Sequence, residues 1–555
     1  MKRAIPLIFK SNQVKLIGTM ADASMKDLTL KSSTSGDANE ESFEGITEVR
    51  EGKAIIRCDK KLNIFYNATQ EVNRDISIVG VHAHILREKK DDVTLVEAMA
   101  ASGIRSIRYA LEVKGLKKVI ANDFSTDCIT SINKNSKLNG TEDIVQPSLN
   151  DANVIMRSQK GFIIDLDPYG SPAAFIDSAV HGLEDGGLFV VTATDMAGLA
   201  GGNAGEACFA RYGAMPLKIK SCHEMALRIL IHTVQSSANR YGRVAIPLLS
   251  LKIDFYVRLF FKIIKSPERA KESCINTSLV YYCTGCKAFN FQPLGVRKSQ
   301  KIYTFARGPP VSDKCSNCGS IHHVGGPIWT GPMHDKDFVS VMEKTLEDNY
   351  SYLNTFPRIE GIINLVAEEV DVPLFYELSE LCSVLKVGTI PLPKIRSAIL
   401  NLGYQVSLSH IAPNTIKTTC PNSIIWDIMR KWKLQNPSPQ PLKEGAGFNI
   451  MQKESETPNI SFDLHPDANP ASKENNLMRY QNNPTRNWGP GVRNAFKGQQ
   501  KSEDKRIANQ GKKRHQRKEP GTSNKSEPES SPSPESKCFK KDDSTISGEE
   551  GQEKL

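Results

Sequence analysis

The sequence predicts an α/β fold in which helices cover both faces of a largely parallel β-sheet. From Gly45 to about residue 275, short apolar runs that are typical of buried strands alternate with helical segments. Such alternation indicates a parallel sheet. The chain of 555 residues is 39% hydrophobic, which is enough for a core, and it is long enough for two or three domains.

The elements of this sheet can be assigned in order. Runs of Val, Ile, Leu and Phe indicate buried strands, and the segments between them are read as helices. Ligands of parallel sheets bind beyond the carboxyl ends of the strands, so the residues that follow each strand are candidates for a site. We expect strands at 93–96, 118–123, 162–166 and 188–194, and helices at 104–113, 126–138 and 172–182.

Composition divides the chain into five segments. Both ends are polar and rich in Ser and Lys, a composition typical of disorder. Tyr480 and Trp488 are unusual in such a tail, and the stretch around them is either a docking segment or a solvated linker. The expected segments are a disordered extension at 1–43, an α/β domain at 44–280, a cysteine-containing segment at 281–330, a mostly helical second domain at 331–435, and a mostly disordered basic tail at 436–555 with a candidate docking segment at 478–496.

The formal net charge of +10 arises mostly from the tail, where residues 497–518 hold nine Lys or Arg and two acids. The charge is therefore weak support for nucleic-acid binding by the folded part. The run at 512–518 predicts a nuclear import signal or a phosphate-binding arm. The chain begins with Lys2 and Arg3 and has no acid before Asp22, which suggests a mitochondrial presequence, although a disordered start is the favoured interpretation.

These features predict the location of the protein. We expect nuclear localisation and leave a mitochondrial pool open. We expect no membrane span, because no apolar run reaches about 18 residues.

The run from Phe162 to Gly170 ends a buried strand with an acid, a proline, an aromatic ring and a glycine. The acid is Asp167, followed by Pro168 and Tyr169. This corner suits methylation of an exocyclic amine on a nucleobase, because a carboxylate can accept the N–H hydrogens of the amine and the ring can stack on the base. A strand followed by a plain turn is the alternative, since Asp-Pro and Tyr-Gly both favour turns.

Acidic residues also follow the neighbouring strands. Glu97 precedes a small-residue loop, 98–103, which lacks the G-x-G-x-x-G of dinucleotide enzymes but allows close approach of S-adenosylmethionine. Asp123 ends the second strand, where an acid can accept hydrogen bonds from two ribose hydroxyls. Asp151, before Ala152, can accept from an adenine amine. Each acid alone is more often a solvated loop residue, but together they predict a nucleoside-cofactor site.

Two Cys-x-x-Cys pairs are the strongest metal signal. The two thiolates of such a pair can reach one Zn²⁺ at about 2.3 Å, and two pairs complete a tetrahedron. The gap of 28 residues between the pairs is longer than the common pattern, and His322 or His323 can replace one cysteine. Four protein ligands leave no open position, so we expect a structural zinc. The four candidate ligands are Cys283, Cys286, Cys315 and Cys318.

A further charged pair lies in a predicted helix. Glu224 and Arg228 are four residues apart and can pair on one helix face. On spacing alone we expect a surface ion pair, and we expect His223 to be a surface or hydrogen-bonded histidine rather than a catalytic one.

Further motifs occur in order along the chain. They are Glu51-Gly52-Lys53-Ala54, Phe65-Tyr66-Asn67…Asn73-Arg74-Asp75, Ala101-Ser102-Gly103-Ile104-Arg105, Asn122-Asp123, Asp165-Leu166-Asp167-Pro168-Tyr169-Gly170-Ser171-Pro172, Thr194-Asp195-Met196-Ala197, Arg211-Tyr212-Gly213, Cys222-His223-Glu224 and Ile425-Trp426-Asp427. Together they resemble the motifs of eukaryotic tRNA (guanine-26-N2)-dimethyltransferases. The resemblance covers about residues 44–435 and the island Asn487-Trp488-Gly489-Pro490.

The resemblance implies a class I, Rossmann-like methyltransferase domain with a zinc-knuckle insertion, followed by a family-specific α+β C-terminal domain that binds tRNA. It implies S-adenosylmethionine as donor and N2 of guanosine 26 in tRNA as acceptor, giving N2,N2-dimethylguanosine. It assigns catalysis to Asp167 and Pro168, with Tyr169 stacking on the base. By position, the residues that match the cofactor site are Phe65, Arg74, Glu97, Arg105, Asp123, Asp151 and Ala152.

The chain departs from the family pattern at several places. Ala68 stands where the family has a proline, and Glu97 is followed by the bulky Met99, so the fine geometry of the cofactor site can differ. Some animal members have a further zinc finger near the C-terminus, whereas this tail has only Cys538. Two alternatives stay open: an RNA-binding protein with a silent methyltransferase fold, and a methyltransferase that acts on another base or on a protein amine.

Overall fold

The computed structural model describes residues 46–59, 64–437, 442–457 and 459–480. The N-terminal extension at 1–43 lies outside the described residues. The same holds for the tail from residue 481, with Trp488, the basic run at 512–518 and Cys538, so the predictions made for these parts stay predictions.

Seventeen strands and sixteen α-helices make up the described part of the chain. The strands are β1 (Ile46–Glu51), β2 (Ala54–Asp59), β3 (Val93–Glu97), β4 (Leu116–Asp123), β5 (Val145–Leu149), β6 (Gly161–Leu166), β7 (Leu183–Ala193), β8 (Arg243–Ile253), β9 (Tyr256–Lys265), β10 (Thr277–Cys283), β11 (Phe289–Pro293), β12 (Gly295–Ser299), β13 (Ile302–Phe305), β14 (His322–Trp329), β15 (Tyr376–Glu377), β16 (Val406–Ser407) and β17 (Thr415–Thr418). The helices are α1 (Glu71–Glu88), α2 (Ile104–Glu112), α3 (Thr126–Asn139), α4 (Ala152–Ser158), α5 (Ile176–Gly182), α6 (Met196–Leu199), α7 (Glu206–Tyr212), α8 (Cys222–Asn239), α9 (Pro267–Glu272), α10 (Lys336–Asn349), α11 (Phe356–Glu368), α12 (Leu378–Val384), α13 (Leu392–Asn401), α14 (Asn422–Gln435), α15 (Ala446–Met451) and α16 (Ala471–Glu474).

A seven-stranded sheet in the order β5-β4-β3-β6-β7-β9-β8 forms the centre of the molecule. The first five strands run parallel, and β9 pairs antiparallel with β7 and β8. Every residue of β6 is buried, as expected for a central strand with helices on both faces. The four strands predicted from the sequence are all present, so the parallel α/β core is confirmed.

Three details of the sheet differ from the expectation. Strand β5 was not assigned, because its half-buried edge sequence contains Pro147 and does not read as a core strand. Helix α5 begins at Ile176 and not at residue 172, since Pro172 first closes a turn in which Phe175 N–H donates to its carbonyl at 2.9 Å. Strands β8 and β9 follow each other as an antiparallel pair, which breaks the strand–helix alternation.

Helices cover both faces of the sheet. Helices α4, α5 and α8 share one core with the sheet, and α1, α2 and α3 share the other. This second core also includes Phe338 and Met342 of α10 and Ile359 and Ile363 of α11. The expected boundary at residue 331 is therefore too early, because these two helices cover the sheet. None of the described helices has both the length and the apolar character needed to cross a bilayer.

A third core, in the second domain, holds helices α12 to α15 together with the four cysteines. It includes Ile450 of α15 and Ile460, both buried, although we assigned them to the tail. Arg430 donates to the carbonyl of Ile450 at 3.3 Å, and the Tyr480 hydroxyl donates to the carbonyl of Ser409 at 2.7 Å. The expected end of this domain at residue 435 is therefore too early. The apolar residues of the added segment are few and irregularly spaced, so no periodic pattern marked them.

The Glu224–Arg228 pair lies in the interior, so the expectation of a surface ion pair is wrong. Glu224 Oε1 accepts from Arg228 Nε at 2.9 Å, from Lys417 Nζ at 3.0 Å and from Leu374 N at 2.7 Å. Arg228 donates to the carbonyls of Trp329 and Gly331. The four-residue spacing correctly places both side chains on one helix face. The spacing contains no information on whether a second domain covers that face, and here one does.

Candidate active site

A cleft of about 340 Å³ opens at the carboxyl ends of the parallel strands. Its walls come from the residues that follow β3, β4, β5 and β6 and from the segment before α1. All ten residues that the sequence analysis assigned to catalysis or to the cofactor line this one cleft. They are Phe65, Arg74, Glu97, Arg105, Asp123, Asp151, Ala152, Asp167, Pro168 and Tyr169.

The small-residue loop after β3 is held by the acid at the end of β4. The Ala101 N–H donates to Asp123 Oδ2 at 3.0 Å, and the Ser125 N–H donates to Asp123 Oδ1 at 3.0 Å. Gly103 has φ +80°, and a Cβ there would lie 2.9 Å from Ile132. Glycine is therefore required where the loop enters α2, and Asp123 both shapes the loop and faces the cleft.

The loop after β5 carries the next acid. Asp151 caps α4, because its Oδ1 accepts from Asn153 N at 2.8 Å and from Val154 N at 3.3 Å. Beside it, the amide nitrogen of Asn122 donates to the carbonyls of Ala98 and Asn150, each at 3.0 Å. Asn122 Oδ1 is buried and accepts no hydrogen bond from any described residue.

The acid-Pro-aromatic corner follows β6 and faces Arg105 of α2. The guanidinium of Arg105 donates to Asp165 Oδ2 at 3.0 Å and also contacts Asp167 Oδ2. Within the described part of the chain, Asp167 Oδ1 has no hydrogen-bond partner, and the Asp167 side chain is 22% exposed. The corner therefore presents one free carboxylate oxygen beside the cleft.

Asp165 supports the corner from inside the sheet, as expected. Both of its oxygens lie 2.8 Å from Arg258 Nη2, and the Tyr109 hydroxyl donates to Oδ2 at 2.6 Å. Burial raises the pKa of Asp165, but Arg105 and Arg258 outweigh this effect and hold the pKa below its ordinary value. Asp165 thus anchors Arg105 and does not face the cleft.

Glu97 lies on the other side of Arg105. Burial raises its pKa to about 8, although Arg105, whose Nε lies 3.6 Å from Glu97 Oε1, acts in the opposite direction. The Ser106 hydroxyl donates to Glu97 Oε2. A carboxyl with a pKa near 8 is mostly protonated at neutral pH.

Aromatic rings line the mouth of the cleft. The rings of Phe65 and Tyr169 meet edge to face with centroids 4.6 Å apart, and Tyr169 is 47% exposed. Phe124, which directly follows Asp123, is 84% exposed. Phe124 and Asn122 also line the cleft but were not among the site residues predicted from the sequence. Their signal was present in the sequence, because both adjoin the acid that ends β4.

Arg74 closes the base of the cleft through an ion pair. Its Nε lies 2.6 Å from Glu51 Oε1, and its Nη2 donates to the Asn67 carbonyl at 3.1 Å. Burial disfavours the charge on Glu51, but Arg74 and Arg108 outweigh it and lower the pKa of that carboxyl. Arg74 therefore fixes the segment that carries Phe65 to the rest of the domain.

The four cysteines form one buried cluster outside the cleft. The Sγ atoms of Cys283 and Cys318 are 3.4 Å apart, those of Cys286 and Cys315 are 3.5 Å apart, and all four lie within 4.8 Å of one another. Four sulfurs around one zinc ion at about 2.3 Å would be separated by about 3.8 Å. The cluster can therefore hold a metal ion, and neither His322 nor His323 belongs to it.

A second group of potential ligands, His334, Glu369 and His410, lies at the junction of the domains. Lys417 Nζ already donates to Glu369 Oε1 at 2.8 Å, and the Ser250 N–H donates to His334 Nδ1 at 3.4 Å. The ammonium neutralises the carboxylate that a cation would need. Together with Lys417, this group forms a buried ion-pair network.

Comparison with known proteins identifies the family. The family model described as N2,N2-dimethylguanosine tRNA methyltransferase matches residues 45–430. The chain belongs to this family. The Drosophila melanogaster protein named tRNA (guanine(26)-N(2))-dimethyltransferase is 41% identical over 518 residues, which cover 82% of this chain and 89% of that protein. The human protein of the same name is 39% identical over 509 residues, covering 80% and 77%. A Saccharomyces cerevisiae relative, whose name adds "mitochondrial", is 34% identical over 529 residues, covering 81% and 93%.

A solved structure supports the fold assignment. The complex of Trm1 from Pyrococcus horikoshii with S-adenosyl-L-methionine aligns with a TM-score of 0.60 and 29% identity, covering 69% of this chain and 99% of that one. The prediction of a class I, Rossmann-like methyltransferase fold is confirmed. As a member of the N2,N2-dimethylguanosine tRNA methyltransferases, the chain is an S-adenosylmethionine-dependent tRNA methyltransferase.

The raised pKa of Glu97 predicts a pH dependence of stability. Between pH 4.5, the ordinary pKa, and about 8, the folded chain keeps a proton on Glu97 that the unfolded chain loses. The free energy of unfolding should therefore fall as pH rises through this window, by up to about 1.4 kcal/mol per pH unit, and level off above it. Urea unfolding from pH 5 to 9 measures this, and Glu97→Gln should remove that part of the slope.

Glu142→Gln, at an exposed loop position, is the matched control and should reproduce the wild-type profile. Parallel profiles for Glu97→Gln and the wild type would show that Glu97 is ionised throughout this range.

Proposed function

We propose that this chain methylates the exocyclic N2 of guanosine at position 26 of tRNA twice, giving N2,N2-dimethylguanosine, with S-adenosylmethionine as donor. The observation that carries the proposal is that Asp167, Pro168 and Tyr169 share one cleft with the strand-end acids Asp123 and Asp151. The family membership and the names of the relatives support the same substrate.

The cleft suits the cofactor in size and in donor set. Its volume of about 340 Å³ falls in the usual range for small-molecule sites. Asp123 would accept from ribose hydroxyls, Asp151 would accept from the adenine amine, and Arg105 would face the carboxylate of the amino acid part. When bound, S-adenosylmethionine would supply an electrophilic methyl group carried on sulfur.

Asp167 is the residue that would activate the acceptor. The N2 lone pair of guanine is delocalised into the ring, which makes the amine a poor nucleophile. Arg105 occupies Asp167 Oδ2 and leaves Oδ1 free, so Oδ1 can accept an N2–H hydrogen. This hydrogen bond orients the amine and returns electron density to nitrogen. Pro168 fixes the backbone that carries the carboxylate.

Aromatic rings at the mouth of the cleft would hold the base. Guanosine 26 must leave its stack before N2 can reach the cleft, which costs a few kcal/mol. Tyr169 is half-exposed and is held edge to face by Phe65. Stacking on such a ring would return about 1–3 kcal/mol. Phosphate contacts from the second domain would supply the remaining binding free energy.

A tRNA-binding protein without catalytic activity is the rival function. The free oxygen of Asp167 beside the Phe65–Tyr169 pair argues against this rival. A protein that only binds RNA has no need of a carboxylate acceptor, held in place by Arg105, in a cleft large enough for a nucleoside. Tight tRNA binding without any cofactor binding in calorimetry would favour the rival. A different target base would appear as a missing modification other than N2,N2-dimethylguanosine when nucleosides from cells lacking the protein are analysed by mass spectrometry.

Asp167→Asn tests the catalytic assignment. The amide is nearly isosteric, but it carries no charge and has an NH2 donor in place of one of the two acceptor oxygens. With Arg105 still needing an acceptor, none is left for the amine, so we expect kcat for tRNA methylation to fall about 100-fold or more, with cofactor affinity changed less than about threefold. Asp177→Asn, which removes a partly exposed carboxylate remote from the cleft, is the matched control. Methyl transfer at near wild-type rate by Asp167→Asn would disprove the role.

We also propose that the four cysteines hold a structural zinc. Wild-type protein should then contain about one zinc per chain by elemental analysis, and Cys283→Ser should lose the metal and unfold at lower temperature, because a structural site contributes to folding. Cys274→Ser, outside the cluster, should retain the metal. A metal-free wild type with unchanged stability after chelation would contradict the proposal.

We propose nuclear localisation with a mitochondrial pool. The basic run at 512–518 supports the first part, and the name of the yeast relative supports the second. Deleting residues 497–518 should reduce nuclear signal of a fluorescent fusion and lower the salt dependence of tRNA binding. If neither changes, the segment is a solvated spacer.

A further inference from the structure

The outer side of the catalytic corner is tied to the segment after β7. Two sequence motifs supply the ties, Thr194-Asp195-Met196-Ala197 and Arg211-Tyr212-Gly213. Neither motif has a part in the chemistry described above. Of their residues only Thr194 lines the cleft.

Both backbone polar groups of Gly170, its N–H and its carbonyl, form hydrogen bonds with Thr194. The Gly170 N–H donates to Thr194 Oγ1 at 2.7 Å, and the Thr194 N–H donates to the Gly170 carbonyl at 2.9 Å. Gly170 has φ +80° with no atom near the position of a Cβ. The glycine is therefore needed for its backbone conformation and not for space, and the paired hydrogen bonds hold that conformation directly after Tyr169.

The next residue continues into a chain of hydroxyl groups. The Ser171 hydroxyl donates to Tyr212 Oη at 2.7 Å, and the Tyr212 hydroxyl donates to Asp195 Oδ1 at 2.8 Å. Asp195 Oδ2 accepts from Arg211 Nη1 at 3.2 Å. Tyr212 is buried, and its ring packs in the core beneath the sheet.

We propose that Tyr212 is a positioning residue, which through Ser171 and with Asp195 as its anchor sets the place of the 167–170 corner relative to the sheet. The proposal rests on the proposed function, because it takes this corner to be the part that binds the guanine amine. The second methylation must admit an amine that already carries one methyl group. A corner that shifts by a few tenths of an ångström would impair this step more than the first.

The effect of the Tyr212 hydroxyl can be tested separately from the packing of its ring. Tyr212→Phe keeps the ring in the core and removes only the link between Ser171 and Asp195. A purely structural role would lower stability and the fraction of active enzyme, but it would leave the ratio of mono- to dimethylated product unchanged. Compared at equal total methyl incorporation, that ratio reflects the relative rates of the two steps and does not depend on how many molecules are folded.

The experiment measures steady-state kinetics and nucleoside products for full-length Tyr212→Phe with unmodified tRNA. We expect kcat to fall about fivefold to tenfold, as for the loss of one buried hydrogen bond, with KM for tRNA and cofactor affinity within about twofold. At equal total methyl incorporation, the share of N2-methylguanosine in the product should exceed that of the wild type. Asp195→Asn, whose amide oxygen can still accept from Tyr212, should be milder than Asp195→Ala.

Tyr241→Phe is the matched control, because Tyr241 also donates to a carboxylate, Asp177 Oδ2 at 2.7 Å, but lies away from the cleft. If Tyr212→Phe equals this control in kcat and in product ratio, the positioning role is refuted. Asp167→Asn is measured in parallel. An inactive Asp167→Asn beside a wild-type-like Tyr212→Phe rejects the positioning role alone, whereas an active Asp167→Asn rejects the catalytic assignment on which it rests.

Discussion

The buried carboxylate of Asp165 is the group on which the geometry of the site depends. A lone ionised carboxylate inside a sheet costs several kcal/mol, and pairing with well-placed donors offsets this cost. Here Arg258 comes from β9 and Arg105 from α2, so three separate elements meet at one charge. Because Nη1 of Arg105 is held by Asp165, Nη2 of the same guanidinium contacts Asp167 Oδ2. The position of the acid-Pro-aromatic corner is thereby tied to the interior of the sheet.

The same principle operates where the second domain meets the first. Lys417 lies between Glu224 of α8 and Glu369, and all three side chains are fully buried. Moving the domains apart would leave unpaired charges, which is far more costly than losing an apolar contact of equal area. We infer that the second domain keeps a fixed position relative to the cleft. A base and the distant phosphates of one RNA can then be bound at a constant separation.

The sequence predicted the residues of the site better than the pairing among them. Parallel strands end at one edge of the sheet, so acids that follow such strands can be predicted to lie near one another. Asp123, Asp151 and Asp167 were predicted in this way and do line one cleft. The contact of Arg105 with Asp167 was not foreseen, since it depends on how α2 crosses the sheet. The boundary at 331 failed for a similar reason. The helical pattern of 336–368 shows an apolar face, but not that the face belongs to the sheet of the first domain.

Arg105 pairs with Asp167, and the proposed reaction does not require this carboxylate to be a strong base. An exocyclic amine does not have to lose its proton before it attacks, because the proton becomes acidic only once nitrogen carries the new methyl group. What the amine needs beforehand is an acceptor in a fixed place. A carboxylate has two oxygens. With Oδ2 on Arg105, Oδ1 is the oxygen that would turn toward the base in the proposed reaction, and the guanidinium would set its direction. A carboxylate that is free to rotate has the same two oxygens, but the direction of its hydrogen bond to the amine is less well defined. Under the proposed function, the protein would therefore supply orientation more than base strength.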